Sequence, residues 1–212
     1  MMKVVMINGS QKVGQSNSGI ILDRLKYHLS EKHEVETYNS GICLFTEEIF
    51  NKIVSGDVII LAFPLFAYSI PSHTLKMLIG LENAIKRKNA NNLIIYTIIN
   101  CGFFEGKQNN VAFEIIQNWC NHSGVKYGGG IGQGAGEALG GMKDIDFEKS
   151  PFRNLEQELK GMVKKIELKD SFEVVYLSPL FPQFLFKFFG TLNWIKKARK
   201  NGLKIKDIKK KL

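Results

Sequence analysis

The chain has 212 residues, 44% of them hydrophobic, enough to bury one substantial core without disulfide staples. Its three cysteines, Cys43, Cys101 and Cys120, form no C-x-x-C pair. That argues against a disulfide framework, a zinc site and a cysteine-ligated iron–sulfur cluster, and points to a reducing, cytoplasmic setting. The formal net charge of +9 is unevenly placed: residues 170–212 hold ten Lys or Arg against three acids, so the basicity describes the tail more than the rest.

The start is too short for a signal peptide, because Asn8-Gly9 interrupts its apolar run. That run, Val4–Ile7, is the first of three continuous β-branched stretches; the others are Val58–Phe63 and Leu93–Ile99. Such runs predict strands buried on both faces, as in a parallel sheet covered by helices. Glu34–Tyr38 alternates polar and apolar residues and Val125–Tyr127 is short, so both read as edge strands.

Between the strands lie helical patterns. Ser16-Asn17-Ser18 caps a helix carrying Ile20, Ile21, Leu25 and Leu29; Thr46–Val54, Pro71–Ile85, Val111–Cys120 and Phe152–Ile166 follow. Strand and helix alternate five times, which predicts an α/β fold with a doubly wound five-stranded parallel sheet. Order 2-1-3-4-5 places the two weak strands at the edges, and its ligand crevice lies at the carboxyl ends of strands 1 and 3. The stretch "YGGGIGQGAGEALGG" (127–141) has eight glycines but no G-x-G-x-x-G spacing. It reads as a mobile surface loop, or as backbone passing close to a bound cofactor or substrate.

Three loops at that crevice carry the candidate chemistry. "GSQKVGQS" (9–16) fits G-x-x-x-x-G-K-[ST] except that Gln15 replaces the lysine. No acid ends the third or fourth strand to hold a magnesium ion, so a triphosphatase is disfavoured. Ser10, Ser16 and Ser18, the Asn17 amide, the helix N–H groups and Lys12 suit a dianionic monophosphate instead. An ordinary capped turn is the plainer alternative. "FPLFAYSIP" (63–71) places Phe66 and Tyr68 in a proline-stiffened loop, as a wall for a flat ligand or a surface for a partner subunit. "NCGFFEG" (100–106) offers small residues and free backbone groups; Cys101 alone is more often inert packing than a nucleophile. His28, His33, His73 and His122 are scattered and read as surface or helix residues.

Taken together, "NGSQKVGQSNS", "PLFAYSIPSHTLKMLI" and "NCGFFEG" resemble the flavodoxin-like NAD(P)H-dependent FMN reductases, which include azoreductases and quinone reductases. The resemblance implies a flavodoxin-like FMN-binding domain over residues 1–168. Ser10, Lys12, Ser16, Asn17 and Ser18 would hold the FMN phosphate. Pro64, Leu65, Phe66, Ala67 and Tyr68 would border the isoalloxazine, with Asn100, Cys101, Gly102 and Phe103 at its pyrimidine edge. Gln11 and Lys12 replace the more usual Pro-Arg pair, Ser18 a common Thr, and Phe66 a frequent Tyr, which loses a hydrogen-bond donor. FMN is preferred over FAD on this resemblance alone. The implied activity passes a hydride from NADH or NADPH through the flavin to a quinone, azo, nitro or flavin-type acceptor, in a homodimer. The cofactor carries the chemistry, so no catalytic acid or base is assigned. The rival readings are a non-enzymatic flavodoxin-like electron carrier and a membrane-recruited binding protein.

The aromatic and basic extension, residues 169–212, contains "LFPQFLFKFFGTLNWI" with Phe181, Phe184, Phe188 and Leu192 at helix spacing, ahead of a lysine-rich end. Pro182, Lys187 and Gly190 interrupt it too often for a bilayer span. It could dock on its own domain or a second copy, or lie on an anionic membrane; a nucleic-acid partner is the least favoured. Asn201-Gly202 is expected to end its helix.

Overall fold

The computed structural model describes residues 1–141, 146–204 and 207. The chain divides into two units, Met1–Pro179 and Leu180–Leu212. In the first, β1 (Lys3–Asn8), β2 (Glu34–Asn39), β3 (Val58–Pro64), β4 (Ile94–Asn100), β5 (Lys126–Gln133) and β6 (Val175–Leu177) form one parallel sheet in the order β2-β1-β3-β4-β5-β6. This is the flavodoxin-like, doubly wound order expected, extended by a sixth strand.

The continuous apolar runs follow from burial on both faces. Val4, Met6, Val58, Ile60, Ile94 and Ile98 face one core. It is covered by α1 (Asn17–Leu29) and α6 (Arg153–Glu167). Their neighbours Val5, Ile7, Ile59, Leu61, Ile95 and Ile99 face a second core. That one is covered by α2 (Glu47–Val54), α3 (Ser72–Lys88) and α4 (Asn110–Ser123). Each such side chain, removed from water, contributes about 1.5–3 kcal/mol before entropy is counted. The first face is clamped by buried Glu156: its Oε2 accepts from Nε and Nη2 of Arg24, both at 3.2 Å, and its Oε1 lies 2.7 Å from His28 Nε2.

Two expectations need correcting. The glycine-rich stretch begins inside a strand, not a loop: β5 runs through Gln133, and a four-residue helix, α5 (Gly136–Leu139), follows. Its glycines answer to aromatic rings on neighbouring elements. A Cβ at Gly128 would lie 2.5 Å from Tyr96 Cε1, and one at Gly132 would lie 2.9 Å from Tyr176 Cδ1. The register slips at Ile95/Tyr96, where Gly129 takes φ +122°, a bulge that glycine permits. The fifth strand is also not an edge, because β6 pairs Val175, Tyr176 and Leu177 with Ile131, Gly132 and Gln133. Residues 169–179, expected in the extension, thus supply a strand to the sheet.

The second unit contains α7 (Gln183–Lys200). It ends as the sequence suggests, with Gly202 at φ +74° and Leu203 N–H donating to the Ala198 carbonyl.

Candidate functional site

The loops after β1, β3 and β4 meet at the carboxyl end of the sheet, beside the strand-order reversal between β1 and β3. A cleft of about 200 Å³ lies there, lined by Ser10, Gln11, Lys12, Pro64, Phe66, Pro71, Ser72 and His73. Among the described residues no acid lines it, and Lys12 gives it a positive charge.

The first loop is held by short polar side chains. Asn8 Oδ1 accepts from Ser10 N–H, Ser10 Oγ accepts from Lys12 N–H, and Gly41 packs against the Ser10 carbonyl, leaving no room for a Cβ. Ser16 is the N-cap of α1: its Oγ accepts from Gly19 N–H and from the Asn8 amide. Ser18, expected beside it on the phosphate, is buried and donates to Asn100 Oδ1 at 2.6 Å, tying α1 to β4. Residues 11–15 are exposed, and Gly14 adopts φ +85°.

The second loop is a tight hairpin. Phe66 and Ser69 exchange both backbone hydrogen bonds, so Ala67 and Tyr68 occupy the two central positions. Both are left-handed, at φ +48° and +60°, the type I′ geometry that normally selects Asn-Gly. For a non-glycine residue this backbone costs about 1–2 kcal/mol. It leaves Phe66 71% and Tyr68 54% exposed, and Tyr68 stacks on Phe103 of the third loop with centroids 5.1 Å apart. Leu65 N–H donates to the Asn100 carbonyl, linking the second and third loops at their bases.

In the third loop, Asn100 and Cys101 are buried while Gly102 and Phe103 are exposed. Cys101 Sγ sits 3.7 Å from the Phe103 carbonyl and 3.6 Å from Asn109 Nδ2. Burial pushes its thiol pKa up, which keeps it protonated and a packing group rather than a nucleophile. Asn100, whose amide is engaged by Ser18, likewise positions the loop. The structure separates the candidates: Ser10, Lys12, Pro64 and Phe66 line the cleft, Ala67, Tyr68, Gly102 and Phe103 are exposed, Asn17 and Leu65 are half-buried, Ser16 is a buried N-cap, and Ser18, Asn100 and Cys101 hold the loops from behind.

Two features of the site lie outside the fourteen candidates. His73, in the first turn of α3, places Nε2 3.0 Å from the Gly9 carbonyl, which Thr74 Oγ1 also meets at 3.0 Å. Nε2 also lies 3.3 Å from Thr74 Oγ1, and Nδ1 is buried with no partner among the described residues. The second feature is the segment after β5. Ala135 N–H donates to Phe103 O and Gly136 N–H to Cys101 O, and Glu137 Oε1 comes within 3.9 Å of where a Cβ on Gly102 would lie. The glycine-rich stretch thus backs the third loop. Its close packing of glycine on backbone is the only feature that the composition could have flagged.

The sequence matches no protein-family model and no curated protein. Among solved structures, the chain is similar to an NADH:FMN oxidoreductase in apo form (12% identity, TM-score 0.58), covering 81% of this chain and 91% of that one. It is similar to an FMN-dependent NADH-azoreductase from Bacillus anthracis in complex with FMN (14%, 0.55), covering 78% and 99%. It is also similar to a Streptococcus pneumonia flavodoxin (12%, 0.53), covering 79% and 99%. The fold is flavodoxin-like, and its structural neighbours include flavodoxin-like FMN reductases, in line with the resemblance read from the three loops.

Proposed function

We propose that this protein binds FMN at the crevice and uses it to pass a hydride from NADH or NADPH to a small-molecule acceptor of the quinone, azo, nitro or flavin type. One observation carries the reading: a cleft with no acid among its described lining residues, bearing Lys12 and Ser10, lies beside exposed aromatic rings on a strained hairpin. A phosphate requires the first and a flat conjugated ring the second. When bound, FMN supplies reversible two-electron chemistry.

The chain's own residues bind and orient. The Lys12 ammonium and the Asn17 amide would meet the phosphate, joined by the Ser16 hydroxyl and the first N–H groups of α1, which no helix can satisfy internally. Ser10 shapes the loop behind them. Pro64, Leu65 and Phe66 would lie along one side of the ring system, with Ala67 and Tyr68 closing it. The exposed Gly102 backbone and Phe103 would flank the polar edge, and Asn100 with Cys101 would keep that loop in register. The neighbours named for NADH-dependent reactions support a reductase, and the flavodoxin among them keeps a carrier in view.

The test is NADH and NADPH oxidation by the FMN-loaded protein, with a quinone as acceptor. Steady oxidation that exceeds free FMN is expected. A protein that retains FMN yet is not reduced by either nucleotide would be an electron carrier.

A further inference from the structure

The second unit carries an aromatic and basic helix of its own. No residue of α7 is buried. Phe184, Phe188, Leu192 and Ile195 recur at i, i+4, i+8 and i+11, one face of a helix, with Leu185 and Phe189 alongside. Phe184, Phe188, Phe189 and Trp194 are 57–70% exposed and Leu192 46%. Exposed apolar surface on this scale marks an interaction site.

Its charge identifies the partner. Between Glu173 and Asp207 the sequence contains no acid, while Lys187, Lys196, Lys197, Arg199 and Lys200 all lie on α7. Trp194 stands where the apolar turns give way to the basic ones, with Lys197 Nζ 5.7 Å from its ring centroid. Among the described residues no helix is long and apolar enough to cross a membrane. We propose that α7 lies on an anionic phospholipid surface, its aromatic face at the headgroup–acyl boundary and its lysines among the headgroups. A second copy is a poorer occupant, because pairing two α7 faces brings like charges together with no acid to offset them. A nucleic acid is poorer too, since Leu192 and Ile195 offer a base nothing to stack on.

Flotation of the full-length protein tests this, with vesicles of phosphatidylcholine alone and of phosphatidylcholine containing phosphatidylserine. Binding to the anionic vesicles about tenfold tighter or more is expected, with release near 0.5 M salt, where screening is nearly complete. Two variants, F184S/F188S/L192S and K196E/K197E/K200E, should each abolish binding without moving the thermal midpoint. Protein that stays unbound at both compositions overturns the proposal. So does a dimer that the apolar variant dissociates, a thermal midpoint that it lowers (the mark of docking on the first unit), or an oligonucleotide held tighter than the anionic vesicles.

Discussion

The two ends of the sheet are built on opposite terms. Where the strands begin, polar groups are paired within the chain. Asp57 accepts from Lys3 N–H at 2.9 Å and from Lys169 Nζ at 2.8 Å, Lys126 Nζ reaches the Lys169 carbonyl, and Tyr96 OH reaches the Asp170 carbonyl at 2.6 Å. Burial, with the Asp170 charge, holds the Tyr96 hydroxyl up at about 12. Where the strands end, Ala67, Tyr68 and Ala135 sit in left-handed backbone, three aromatic rings are exposed, and His73 Nδ1 lacks a partner among the described residues. One end lowers the free energy of the fold, and the other holds groups in arrangements that a ligand would complete. Left-handed backbone where the strands begin, at Asn89 and Lys169, follows the ends of α3 and α6, where it is ordinary; the consecutive pair Ala67-Tyr68 stands at the open end, where a rigid scaffold can hold it.

That contrast can be broken from the stable side first. Glu156→Ala leaves the half-buried His28 without its acceptor and Arg24, still 4.0 Å from Asp146, without its buried one, and should lower unfolding stability by about 2 kcal/mol. Urea denaturation checks this, with FMN affinity expected to change little in the folded protein. Lys12→Ala acts at the open end only. It should weaken FMN by about fivefold, near 1 kcal/mol, and leave riboflavin binding and stability unchanged, because only FMN carries the phosphate. Titration with both ligands reads it.

Asp57 gives a smaller, pH-dependent effect. The Lys169 ammonium, then Lys3 N–H, holds its carboxyl pKa below the ordinary range. A depressed pKa contributes stability above the unfolded value, near 3.9, that is lost as pH falls through the folded one. Asp57→Asn should therefore be less stable than the parent by about 0.5–1 kcal/mol at neutral pH, and the gap should close below about pH 4. Thermal melts across pH 3–7 check it. Smallest is Ala67→Gly, which exchanges about 1–2 kcal/mol of left-handed strain for glycine's larger entropy loss. A net gain of about 0.5 kcal/mol is expected, with the hairpin less firmly set and FMN held less tightly.

The parts legible in the sequence are those whose signal is local. Val4–Ile7, Val58–Phe63 and Leu93–Ile99 announce buried parallel strands because both faces are covered. Ser16 announces a helix start because its side chain caps its own helix. What was not legible depends on distant partners. The glycines of β5 are set by the rings of Tyr96, Phe113 and Tyr176. The Ser18 hydroxyl points to Asn100, 82 positions away, instead of to the crevice. Ala67 and Tyr68 carry no residue-type signal for positive φ, and His73 looks like any histidine at the start of a helix until Gly9 is placed beside it.

The central claim is that this open end holds FMN. Its most direct test is the visible spectrum of the purified protein after incubation with FMN and desalting, repeated anaerobically with NADH or NADPH. Two retained flavin bands that bleach with the nucleotide are the predicted result. A colourless protein after desalting would contradict the account and return the loops to ordinary capped turns.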